Sequence, residues 1–184
     1  MYGLINLAVH DLIRKRFGTE AWEAIRRDAG VEEDAFIGMQ SYPDEVTYAL
    51  VASASRCLGL PATTLLEAFG EHWIRYTASE GYGSMLDLAG TSFLAFVQNL
   101  DRLHTHVAAH MPALVPPSFR TEVLGEGHLR LHYYSKRQGL APMVVGLVKG
   151  LAARFGQVAT VSLVTSTAEG ADHDTFDVVY HPVP

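Results

Sequence analysis

Residues 119–135, FRTEVLGEGHLRLHYYS, contain two short arms, Phe119 to Leu124 and His128 to Ser135, about the turn Gly125-Glu126-Gly127. Side chains of this kind around a glycine-flanked turn predict a β-hairpin. Upstream of the proline-rich loop PALVPPSF (112–119) the apolar period is helical instead. Leu4, Ile5, Leu7, Ala8, Leu12 and Ile13 predict an amphipathic helix over 3–17, stopped near Gly18. A second helix over 19–29 centres on Trp22 and Ile25, with Thr19 as N-cap and Gly30 as stop. Asp44 introduces a third, to about Leu58, and Pro61 opens a long one through Phe69, Trp73 and Tyr76, ended by Gly81. Ser84 to Leu88 reads as a short helix and 91–111 as one continuous helix that Pro112 ends. Downstream of the hairpin, 140–155 is helical, Pro142 falling in the tolerated first turn. Val158 to Thr165 and Thr175 to Tyr180 predict two more strands joined by a polar turn at Gly170. The expected fold is α+β: an N-terminal helical subdomain, then an antiparallel four-stranded sheet with a packed helix.

The chain of 184 residues, 48% hydrophobic, suits a single domain over 1–184, with a first helical part over 1–60 and the remainder over 61–184. A mean hydropathy of +0.10 requires extensive burial, yet no apolar run reaches the roughly 18–20 residues of a membrane span. With no basic region ahead of its first apolar residues, the N-terminus does not read as a signal peptide, so the cytoplasm is the expected compartment. Net charge is −6 with no basic run, which argues against nucleic acid as a partner. A single cysteine, Cys57, excludes a disulfide framework and reads as a buried structural thiol.

Nine histidines are the unusual feature of the composition. In TSFLAFVQNLDRLHTHVAAHM (91–111), Phe93, Val97, Leu100, Val107 and Met111 form the apolar stripe, and His104 falls within it. His106 projects oppositely and His110 lies on the flank. An imidazole entering the core needs partners for its ring nitrogens. A carbonyl would satisfy it, and so would a metal or haem iron; periodicity leaves both open. Glu122, Glu126 and Asp172-His173-Asp174 are of metal-ligand type, but they read as hairpin flanks and as a solvated turn before an edge strand.

In LHYYSKRQGL (131–140), Tyr133, Ser135 and Arg137 alternate and would share one face of an extended strand. Two hydroxyls and a guanidinium fork suit a pair of carboxylates; an ordinary polar strand face shows the same alternation.

Leu103-His104, then Pro116-Pro117-Ser118-Phe119, then Tyr133-x-Ser135-x-Arg137 together resemble the signature of the haem nitric oxide/oxygen binding (H-NOX) family. MYGLIN, GYGSMLDLAG, NLDRLH, GLAPMVVGLVKGL and DHDTFDVVY extend the resemblance over essentially the whole chain. It reaches both bacterial stand-alone members and the sensor domain of the β subunit of soluble guanylate cyclase. The resemblance implies haem b (iron protoporphyrin IX) between the helices and the sheet. His104 would be the proximal iron ligand, and Tyr133, Ser135 and Arg137 would hold the propionates. Pro117 would press on the porphyrin, a rigid residue suited to that task.

The same resemblance puts Ile5, Val9, Trp73, Met143 and Leu147 over the iron, with Pro142 an alternative to Met143. Family members that hold oxygen use a tyrosine hydroxyl where Met143 stands. A hydrogen bond to ferrous-bound oxygen, which has superoxide character, contributes about 1–3 kcal/mol. An apolar pocket therefore implies binding of NO and CO and exclusion of O2. The Trp73 indole N–H is the one possible donor, and it reads as bonded to a neighbour such as Tyr2. Signalling would follow a change at the Fe–His104 bond. The chain closes at Tyr180-His-Pro-Val-Pro without an output domain, which implies a separate partner, a histidine kinase or a cyclic dinucleotide enzyme. A peroxidase-like or NO-consuming haem enzyme is the alternative, but the pocket offers no distal acid or base. A module binding another tetrapyrrole is a further alternative.

Overall fold

Helices α1 (Gly3–Phe17) and α2 (Thr19–Asp28) meet at Gly18, whose φ of +91° favours a residue without Cβ. The structure, a computed structural model, describes residues 1–32 and 35–183. Gly18 holds the N-cap position of α2, so Thr19 is the first helical residue rather than the cap. Pro43 and Pro61 stand immediately before α3 (Asp44–Leu58) and α4 (Ala62–Thr77). A π-type turn over Ala78–Tyr82, with Gly81 at φ +91°, leads into α5 (Gly83–Ala89).

The helix expected over 91–111 is two helices, α6 (Phe93–Gln98) and α7 (Leu100–His110). Ser92 caps α6 by accepting from the Ala95 N–H at 3.3 Å. At the break, the Asn99 side chain donates to the Ala89 carbonyl at 2.9 Å, and its backbone leaves helical geometry at φ −97°, ψ 2°. Phe93, Phe96 and Val97 are buried, whereas no residue of α7 is.

Strands β1 (Ser118–Gly125) and β2 (His128–Tyr134) form the hairpin, followed by α8 (Ala141–Arg154), β3 (Gln157–Thr165) and β4 (Asp174–Pro182). The antiparallel sheet has the order β1-β2-β4-β3. β4, expected at an edge, is therefore interior and β3 takes the edge. Asp174 is correspondingly buried, accepting from the Thr167 N–H and hydroxyl at 2.7 and 3.0 Å.

Two apolar clusters organise the chain. One joins Val9, Leu12, Trp22, Leu50, Leu65 and Phe69 of α1–α4. The other joins Phe93, Phe96, Leu131, Val148, Phe176 and Val178 of α6, α8 and the sheet. Each such side chain contributes about 1.5–3 kcal/mol when buried. Leu65, Phe69 and Tyr76 place α4 in the helical cluster. α4 crosses α8 backbone to backbone: a Cβ on Gly146 would lie 1.9 Å from the Glu67 carbonyl oxygen, and one on Gly70 2.1 Å from that of Met143.

Cys57 is exposed near the end of α3, not buried; it faces out beside Arg56 while Ser53 and Ala54 face in. Among the described residues no single helix is long and apolar enough to cross a membrane.

Candidate functional site

Pro116 and Pro117 have no N–H, so β1 cannot extend its ladder before Ser118. The pairing of β2 ends with it, at Ser118↔Tyr134 on one side and Tyr133↔Asp174 on the other. Ser135 and Arg137 therefore lie in the loop beyond β2, and the three residues expected on one strand face do not share a strand. A turn brings them together instead. The Arg137 N–H donates to Ser135 Oγ at 3.0 Å, and the Ser135 hydroxyl is also hydrogen-bonded to that of Tyr133. Burial raises the Tyr133 pKa and keeps the phenol a donor.

Arg137 reaches back to α3, where Nε donates to Asp44 Oδ2 at 2.7 Å and Nη2 to Oδ1 at 3.3 Å; Nη1 donates to the Val115 carbonyl at 2.7 Å. The terminal ammonium of Met1 contacts Asp44 Oδ1 at 2.6 Å. Burial raises the Asp44 pKa, but the hydrogen bonds and charges of Arg137 and the amine prevail and hold it below the usual carboxylate value. One carboxylate thus faces two cations, and the cluster can accept a further anion. Sequence reasoning treated Asp44 only as a helix start. An acid in a first helical turn carries no mark of a partner 93 residues away.

His104 lies on α7 with its ring 5.5 Å from that of Phe119, which is 5.2 Å from that of Tyr133. This chain of tilted rings connects α7 through β1 to β2, a contact that neither the strand pattern nor the Pro-Pro-Ser-Phe motif assigned to Phe119. His104 Nδ1 is buried without a hydrogen-bond partner. Burial lowers the imidazole pKa, and Asp101 and the Pro117 backbone only partly oppose it. The Pro117 backbone lies close enough to the ring to favour its charged form. A neutral imidazole with a free lone pair is the form that binds metal.

Ile5 and Val9 come from α1, Trp73 from α4, and Met143 and Leu147 from α8. Ile5, Trp73 and Met143 pack half-buried against the helical cluster that contains Val9. Leu147 is half-buried, its backbone N within 2.6 Å of where a Gly70 Cβ would stand. Trp73 contacts Phe69 and Tyr76, at 6.1 and 6.5 Å between ring centroids. Tyr2 is not its partner, since the Tyr2 hydroxyl accepts from the Ala113 N–H at 3.1 Å.

Residues 2–163 match the Haem-NO-binding family. The chain belongs to that family. Members are haem-binding gas-sensor domains, and the residues above have the types a haem requires: a neutral, half-buried imidazole whose buried Nδ1 has no partner among the described residues, and hydroxyls with a guanidinium for carboxylates. Among relatives of this Haem-NO-binding chain, soluble guanylate cyclase gcy-35 of Caenorhabditis elegans is 33% identical over 161 residues, 84% of this chain and 23% of that protein. Soluble guanylate cyclase gcy-37 of the same organism is 35% identical over 152 residues, 81% of this chain and 22% of that protein. The chain thus spans less than a quarter of the length of these relatives. An H-NOX protein from S. oneidensis in the Fe(II)NO ligation state superposes with a TM-score of 0.89 at 22% identity, covering 98% of this chain and 99% of that one. The Fe(II) unliganded H-NOX protein from K. algicida gives 0.86 at 20% identity, covering 100% and 98%. At these identities the likeness establishes the fold.

Proposed function

We propose that this domain binds haem b between its helical layer and its sheet and senses NO, with CO as a second ligand and O2 excluded. The half-buried His104, whose Nδ1 is buried without a hydrogen-bond partner among the described residues, carries the reading. His104 is the proximal ligand. Arg137, Ser135 and Tyr133 receive the propionates, Arg137 sharing its fork between them and Asp44. Pro117 presses on the macrocycle from the loop before β1. Bound haem supplies a ferrous iron open to diatomic gases.

Ile5, Val9, Met143 and Leu147 offer that open side no hydrogen-bond donor, which withholds the stabilisation O2 needs; NO needs none. Trp73 has an indole N–H without a partner among the described residues, so the discrimination depends on that N–H pointing away from the ligand. The signal is the release of His104, which frees α7 and its stack on Phe119 and Tyr133 to shift relative to the helical layer. The expected effector is a separate histidine kinase or cyclic dinucleotide enzyme, in the cytoplasm.

Anaerobic reduction followed by air and then NO tests the proposal by visible spectroscopy. The expected Soret band is that of five-coordinate histidyl haem, unmoved by air and shifted by NO. A stable oxy spectrum would overturn the exclusion of O2, and failure to take up haem would remove His104 from its role.

A further inference from the structure

On the outer face of the sheet, opposite Tyr133, His132 of β2 meets His173 of the turn before β4. His132 Nδ1 lies 2.8 Å from His173 Nε2. The outward nitrogens both face carboxylates: His173 Nδ1 is 2.7 Å from Asp172 Oδ1, and His132 Nε2 is 3.8 Å from Glu122 Oε2. Tyr134 stacks on His173, with ring centroids 4.3 Å apart and planes at 22°, which fixes the orientation of that ring.

A carboxylate beside one ring nitrogen favours the tautomer that protonates it and leaves the lone pair on the other. Asp172 thus sets the His173 lone pair on Nε2, facing His132 Nδ1, whereas Glu122 at 3.8 Å is too far to hydrogen-bond and leaves both His132 tautomers open. In one tautomer His132 donates to His173 across this 2.8 Å gap; in the other, two lone pairs converge there and take up a cation. With neutral rings the four groups carry two negative charges, so the slot suits a divalent ion better than a single proton.

We infer that His132 and His173 form a transition-metal site of the Cu(II) or Ni(II) type, with Asp172 and Glu122 as outer partners. Imidazole selects borderline metals of this kind over Ca²⁺ or Mg²⁺. Spacing narrows the choice further. With metal–nitrogen bonds of about 2.0–2.1 Å, ligands at right angles put their nitrogens about 2.9 Å apart, whereas tetrahedral ones need about 3.3 Å. The observed separation fits adjacent corners of a square-planar or octahedral ion. Among the described residues no group of three or more metal-ligand side chains is assembled, so water completes the coordination. Arg120, the register partner of His132, is exposed and opposes the ion by charge alone.

The test is a Cu(II) titration of the haem-loaded ferric protein, read by electron paramagnetic resonance and by equilibrium dialysis. A His110→Ala background removes competition from His106 and His110, which lie one turn apart on α7. One Cu(II) per chain with hyperfine splitting from two nitrogens is expected. His132→Gln and His173→Gln should each abolish that signal while leaving the Soret band and circular dichroism unchanged. Asp172→Asn should weaken binding by about tenfold, the effect of an outer-shell partner. Absence of stoichiometric copper, or copper binding unaltered by both histidine substitutions, would overturn the site and leave the pair joined by a shared proton.

Discussion

Three side chains carry the proposed sensing, and each can be tested alone. His104→Gly should abolish the histidyl spectrum, and added imidazole should restore it by filling the vacated position. NO should then displace the free imidazole without moving α7, because the ligand is no longer attached to the chain. A conformational response to NO that persisted in this variant, seen by hydrogen exchange at α7, would sink the proposed signal. Met143→Tyr places a hydroxyl where the apolar set has none. A hydrogen bond of about 1–3 kcal/mol should slow O2 dissociation by roughly ten- to hundred-fold, measurable by stopped-flow. Arg137→Ala strips Asp44 of its forked donor. Asp44 retains about a third of its side-chain exposure, so the expected loss is only about 1–2 kcal/mol in urea unfolding, with faster haem loss. Arg137→Lys should restore charge without the fork and recover only part of the effect.

At the scale of elements, the α4–α8 crossing and the α6–α7 break matter most. Gly146→Ala would drive a Cβ into the Glu67 carbonyl, and backbone cannot yield as a flexible side chain does. A loss of about 1–3 kcal/mol or more is expected, as for other overpacked contacts, and a thermal melt would measure it. Because α4 brings Trp73 and α8 brings Met143 and Leu147, the same substitution should alter gas-binding rates even where the fold survives. The break at Asn99 was hidden from periodicity, since Leu100, His104 and Val107 continue the apolar stripe across it. What ends α6 is a hydrogen bond from the Asn99 side chain to Ala89, ten residues earlier. The Tyr133-Ser135-Arg137 alternation misled for a related reason. Period two describes a strand only while neighbouring strands supply a ladder, and here Pro116 and Pro117 end it.

For the whole molecule, acid should be destabilising in two windows. Burial lowers the pKa of His104 below its ordinary value, and that of His72 and His10 likewise. A lowered histidine pKa means that the unfolded chain takes up the proton more readily, so stability is complete above about 6.5 and is lost as pH falls through the folded value. Asp44, held low mainly by Arg137 against the opposing effect of burial, contributes stability above about 3.9 that is lost below it. Urea midpoints of the haem-free protein between pH 7.5 and 2 should therefore fall in two steps, and the second should shrink but persist in Arg137→Ala, because the Met1 amine still faces Asp44 and the lowered carboxyls of Asp28 and Asp101 keep their own partners. The sequence alone determined the element types, the α+β class and the family, because periodicity, glycine and proline stops, and local motifs all lie within short windows of chain. It also singled out His104 as an imidazole on an apolar stripe. Only the tertiary structure decided that Asp44 and the Met1 amine complete the Arg137 cluster, that β4 is interior, that Cys57 faces solvent and that His132 meets His173. Those pairings join residues 41 or more apart in the chain, and electrostatic partners at such separations leave no periodic trace to be read.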